Sequence, residues 1–181
     1  MTKFRVNKYE AARRQIDVAI RMLFSKEDPV AILTLAVAGL RILRDIADKR
    51  GDAEFHERLK KIIIPGKEKE FWQTINIPAN FLKHADRDPD AILNNVEDNA
   101  SDWILFMACL YYRDLGHQLT PEMSALTTWH IALYPDIIIS DDKVRNDVLN
   151  SVQFLHKMPR HDQLEIGRQL MINSRSKYNR F

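Results

Sequence analysis

The apolar residues of this chain recur at helical spacing from end to end, and the clearest run is Asp28 to Gly51, DPVAILTLAVAGLRILRDIADKRG. Asp28 predicts an N-cap, its carboxylate accepting from first-turn amides, and Pro29 follows where a missing N–H costs nothing. Gly51 supplies the stop. From Pro29 to Leu40 no residue is charged, so this half has no face that asks for water and is expected to be enclosed by other helices. Beyond Leu40, Ile42, Leu43, Ile46 and Ala47 keep one side apolar while Arg41, Arg44, Asp45, Asp48 and Lys49 mark a wet side.

Ahead of it, Asn7 and Glu10 have capping-box spacing, and Tyr9, Ala12, Ile16, Ala19, Ile20 and Leu23 form one stripe over residues 7–25. The short link SKED joins the two segments, which predicts an antiparallel hairpin. Asp52 is placed to cap a third helix carrying Phe55, Leu59, Ile62 and Ile63 and ending at Pro65-Gly66. A brief helix over 67–74 is expected to break at Asn76-Ile77-Pro78 and to be followed by a segment from Pro78 with Phe81, Leu82 and Ala85 inward. Residues 90–100 read as a loop. Ser101 to Leu115 reads as a second buried helix, lying against the central one. Thr120-Pro121-Glu122 repeats the cap-plus-proline start before a face of Met123, Leu126, Trp129, His130 and Leu133. A buried connector over 136–140, helices over 141–157 and 159–173, and a fraying basic tail complete the expectation. The fold class predicted is all-α: a helical bundle over 1–117 built on the N-terminal hairpin, with C-terminal helices over 118–181 packed on it across a soft boundary.

Five glycines and seven prolines in 181 residues agree with long helices and short links. The apolar runs fall short of the roughly 20 residues that span a bilayer. No apolar signal region opens the chain, and one cysteine, Cys109, lies in an apolar run. A cytoplasmic protein without a membrane partner is expected. The net charge of +2 is unevenly laid out: +5 over residues 1–61, −4 over 62–102 and +1 over 103–181. In the first segment basic and acidic residues interleave at helical spacings, the pattern of salt-bridged solvated faces rather than a concentrated phosphate footprint.

The stretch richest in chemistry is Asn80-Phe-Leu-Lys83-His84-Ala-Asp86-Arg87-Asp88-Pro89. Were the helix to continue through it, His84 and Asp88 would stand one turn apart, where the carboxylate orients and activates the ring as a general base. Asn80 would lie one turn the other way, ready to hydrogen-bond a phosphate or the ring. The alternative is a helix C-terminus, where Lys83, His84 and Arg87 answer the partial negative charge of the last carbonyls. The six histidines show no metal-ligand spacing, and Arg50 and His56 are divided by Gly51, so neither a metal nor a cofactor is expected. The absence of a Gly-rich phosphate loop, a G-x-S-x-G elbow and zinc-ribbon cysteines removes several enzyme classes.

EAARRQIDVAIRMLFSKEDPVAILTLAVAGLRILRDIADKRG together with NFLKHADRDP resembles a family of uncharacterised bacterial proteins sharing a helical hairpin and an Asn-Phe-x-Lys-His-Ala-Asp-Arg-Asp-Pro signature, over about the first 115 residues. The hairpin followed by a histidine-bearing helix also resembles HEPN domains, helical bundles that often form homodimers and in many members cleave RNA. That resemblance implies a metal-independent ribonuclease with His84 in the active site, although active members place an arginine upstream of the histidine where this chain has Asn76 to Asn80. The reading carried forward is a non-enzymatic interaction or ligand-binding module, dimeric, with RNA or protein as partner and Asn80, Lys83, His84, Asp86, Arg87 and Asp88 as its surface.

Overall fold

In the computed structural model, residues 3–51, 66, 68–83, 86, 88–94, 97, 99–134 and 154–178 are described. Among them six α-helices and one short 3-10 turn carry the fold, with no strand. Helix α1 spans Lys8–Phe24, and the Asn7 side chain accepts from the Glu10 amide at 2.8 Å as the capping-box spacing predicts. Helix α2 spans Pro29–Arg50; Asp28 Oδ1 caps the amides of Val30 and Ala31, and Gly51 closes it in the left-handed conformation at φ 69°. The link between them turns at Lys26, φ 59°. The two helices pack along their lengths. Their contact is tight at Gly39, where an added Cβ would lie 2.7 Å from Ile16 Cγ1.

Helix α3 runs Glu68–Phe81 without a break, with Pro78 inside it. The expected interruption at Asn76-Ile77-Pro78 is therefore corrected. Pro78 costs the ladder one hydrogen bond, but Ile75 and Ala79, four apart, are buried against the core and hold the segment helical across the proline. Helix α4, Ala100–Asp114, is buried on nearly every side and packs on α2 as expected. Helix α5, Pro121–Leu133, starts at Thr120, whose hydroxyl accepts from the Met123 amide at 3.1 Å. The 3-10 turn Leu155–Lys157 follows Phe154, itself left-handed at φ 65°, so the helix expected up to Lys157 does not end as α-helix. The expected helix over 52–65, the connector over 136–140 and most of the helix over 141–157 lie outside the described residues.

Helix α6, Arg160–Tyr178, runs into the tail expected to fray, as far as the described residues reach. Its last turns are tied down: Arg175 reaches Glu122 of α5 at 2.6 Å, and Ser176 Oγ donates to the Ile172 carbonyl. α6 lies on α5 and also touches α1, so the C-terminal helices close over the hairpin. The contact is tight at Gly167, where a Cβ would collide with the Phe24 ring. That ring stands edge-on to Trp129, whose indole N–H donates to the Gln163 carbonyl at 2.6 Å. A second tie joins the first turns of α4 and α6, a two-pronged Arg160–Asp102 pair at 2.7 and 2.9 Å with the Asp102 carboxylate fully enclosed. Among the described residues no helix is long and apolar enough to cross a membrane.

Candidate functional site

The polar stretch that the sequence singles out follows α3 directly. Asn80 is exposed in the last turn of that helix, and Lys83 is exposed in the turn after it, its amide donating to the Asn80 carbonyl at 3.2 Å. Asp86 and Asp88 are exposed and non-helical; the Asp88 carbonyl accepts from the Ala91 amide at 3.0 Å in a tight turn. His84 and Arg87 lie outside the described residues, as does His56. The described helix ends at Phe81 and Asp88 opens a turn, while the one-turn relation expected of His84 and Asp88 lies outside the described residues with His84 itself.

What the fold adds to this stretch is the wet side of α2. α3 packs on α2, and this brings Lys83 within electrostatic reach of Arg41, Arg44 and Asp45. Partial burial, with Arg41 and then Arg44 opposing and only Asp45 assisting, holds the Lys83 amine below the ordinary lysine range. Arg41 and Asp45 make only a loose exposed pair, 3.9 Å apart. The Arg44 guanidinium lies 5.8 Å over the Trp72 ring, and its Nη1 is 3.5 Å from Asn76 Oδ1. Three cations, one carboxylate, an indole and two asparagines thus share one face. Arg41 and Arg44 were legible as solvent-facing; that they meet Lys83 follows from packing alone. Arg50, the other candidate arginine, is engaged structurally, donating to the Leu115 carbonyl at 3.3 Å and lying over the Tyr9 ring.

A second polar site was not signalled by any motif. α1, α5 and the end of α6 enclose a cleft of about 360 Å³ walled by Arg13, Asp17, Arg21, Thr120, Glu122 and Tyr178 among others. Asp17 is buried, accepting from Thr120 Oγ1 at 2.6 Å and from Arg13 Nη1 at 2.9 Å. Burial is the main cause that lifts its pKa above the ordinary aspartate value, and the nearby Glu122 charge adds to it. Burial pushes Glu122 the same way, but hydrogen bonds from Arg175, its own backbone and Arg21 outweigh that, and its carboxyl titrates below the usual range.

Buried chemistry elsewhere is inert by its surroundings. Burial drives the Cys109 thiol far above its ordinary pKa, so no thiolate is available for nucleophilic work. His130, which the sequence placed on an apolar face, is fully enclosed between Phe106, Trp103 and Tyr134, and neither ring nitrogen has a hydrogen-bond partner. Among the described residues no group of three or more histidine, cysteine or carboxylate side chains is arranged to hold a metal ion. Comparison of the chain with protein-family models, curated proteins and solved structures returned no match.

Proposed function

We propose that the chain is a non-enzymatic binding module whose α2/α3 face, continued by the 80–89 stretch, takes an anionic partner, with single-stranded RNA as the partner its chemistry fits best. The observation that carries this reading is the packing of α3 on α2, which puts Arg41, Arg44 and Lys83 within electrostatic reach of one another, with Asp45 the carboxylate among them, loosely paired to Arg41 at 3.9 Å. Like charges on one largely exposed face repel one another, and a bound phosphate backbone relieves that repulsion. Trp72, with Arg44 over its ring, offers a surface on which a base can stack, and Asn76 and Asn80 add neutral donors and acceptors. Asn80, Lys83, Asp86 and Asp88 of the proposed surface are solvent-exposed, as recognition requires.

The test is a titration of labelled single-stranded RNA in EDTA, with binding followed by anisotropy and integrity by gel. Arg44→Gln combined with Lys83→Gln removes two cations, so the slope of log K against log salt should flatten by about 1.4. Salt-independent binding, or binding untouched by the double substitution, overturns the reading. Cleavage by the wild type that is lost in His84→Ala replaces it with the HEPN-type ribonuclease, His84 serving as base or phosphate contact. Sedimentation of the same samples reads out the homodimer expected for either case.

A further inference from the structure

The cleft between α1, α5 and α6 lies on other elements than the proposed RNA face and has an electrostatic layout of its own. Its polar walls divide into groups that are fully occupied and groups that are not. Arg13 is spent, with Nε and Nη2 on the Glu10 carboxylate and Nη1 on Asp17. Asp17 has one oxygen on Thr120 and the other on Arg13. Arg21 differs, as does Arg175, which stands outside the lining and joins it through the Glu122 carboxylate. Both donate to the same oxygen, Glu122 Oε1, at 2.9 and 2.6 Å, and each uses a single nitrogen to do so. Their side chains remain 42% and 40% exposed, while that of Glu122 is 11% exposed. Two guanidiniums on one carboxylate leave a surplus positive charge and most of two donor forks directed elsewhere.

We propose that this cleft binds a small organic carboxylate, its carboxylate held by Arg21 of the lining with help from Arg175, which shares the Glu122 carboxylate with it, and its apolar part lying against Leu119, Pro121 and Tyr178. The volume, about 360 Å³, falls within the roughly 300–1,000 Å³ of small-ligand sites. Arg13 and Asp17 balance one another in the walls, and the trio of Arg21, Arg175 and Glu122 keeps one surplus positive charge, which a monoanion neutralises. A phosphate monoester brings about −1.5 to −2 at neutral pH and meets Asp17 and Glu122 in the same walls, so the site selects carboxylate over phosphate. The organic portion has Tyr178 to rest on, an aromatic ring left 60% exposed at the cleft's edge.

The experiment titrates the full chain with benzoate, benzamide and phenyl phosphate, following amide shifts by NMR. Benzoate should saturate and shift residues of α1, α5 and the end of α6, with benzamide and phenyl phosphate at least about tenfold weaker. Arg21→Gln with Arg175→Gln should weaken benzoate by about tenfold or more. Because that pair also ties helices together, Tyr178→Ala provides a variant whose exposed ring the fold does not use, and it too should weaken benzoate. Equal binding of benzamide, benzoate shifts confined to other elements, absence of saturation, or indifference to Tyr178→Ala overturns the proposal. None of these outcomes bears on RNA binding by the α2/α3 face, so the two readings fail independently.

Discussion

His130 sits where a histidine is most costly, and the cost has a pH dependence that can be worked out. Its ring stacks on Phe106 at 4.2 Å, meets Trp103 edge-on at 4.5 Å and leaves both nitrogens without a partner. Burial first, and the Arg160 charge second, hold its pKa down from 6.5 to about 3. The unfolded chain takes up a proton as pH falls through 6.5 while the folded chain stays neutral, so acid favours unfolding. Each pH unit below that point costs about 1.4 kcal/mol, which makes the loss between neutral pH and about pH 5 roughly 2 kcal/mol. Phenylalanine is close in shape, keeps the aromatic contacts and has no nitrogen to desolvate. His130→Phe should therefore raise stability by about 1 kcal/mol at neutral pH, the relief of two unpartnered polar atoms offset by a slightly larger ring. Near pH 5 the gain should grow to about 3 kcal/mol. Urea unfolding of both proteins, followed by tryptophan fluorescence across that range, reads the difference directly, and titrations common to both, including Asp17 and Glu122, cancel. Parallel stability profiles, or a variant weaker than wild type throughout, would refute the reasoning.

Other substitutions test the ties between helices. Gly167→Ala places a methyl against the Phe24 ring, which Trp129 backs edge-on, and should cost about 2 kcal/mol or more in chemical denaturation. At the α4/α6 pair the two partners are unequal: the Asp102 side chain has no solvent access while that of Arg160 is 27% exposed. Arg160→Met, which strips the guanidinium from an enclosed carboxylate, should cost about 3–5 kcal/mol, and Asp102→Asn, which leaves a guanidinium within reach of water, about 1–2 kcal/mol; a reversed order of melting temperatures would contradict this. Glu122→Gln weakens both arginine ties to α5 and should cost about 1–3 kcal/mol at neutral pH. Because the Glu122 carboxyl titrates below its unfolded value of 4.5, its contribution is full above that pH and is lost as pH falls through the lower folded value, so the gap between wild type and variant should close in acid.

What was legible in the sequence was what is decided locally. Asn7, Asp28 and Thr120 cap the helices they precede because a capping oxygen needs only the next two or three amides, and Gly51 ends α2 for an equally local reason. The stripe of α1 and the all-round apolarity of α4 were legible because they repeat at the helical period. Errors came where distant packing outweighed a local signal. Pro78 lies inside α3 because Ile75 and Ala79 are buried beside it, and α6 runs on to Tyr178 because Arg175 finds Glu122 on another helix. The cleft was invisible for the same reason: Thr120 and Asp17 are 103 positions apart, and Arg21 and Glu122 are 101. Asn80 and Lys83 could be picked out as polar, but the arginines beside Lys83 belong to α2, and no spacing within the 80–89 stretch encodes them.

The two functions assigned to the Glu122 cluster, holding helices and holding a ligand, call for opposite changes at one atom. For stability, Glu122 Oε1 is the point through which Arg21 of α1 and Arg175 of α6 are both fastened to α5, so neutralising it loosens the bundle. For an anionic ligand the same carboxylate is a competitor, since every hydrogen bond the guanidiniums give to Glu122 is one withheld from the ligand, and its charge opposes the incoming anion. Glu122→Gln should thus lower stability and raise benzoate affinity in the same sample. A purely structural cluster would lose stability with no gain in binding, whereas a solvated surface patch without a site would change neither by much. The sign of the affinity change, rather than its size, separates these cases, and it does so in a protein that still folds.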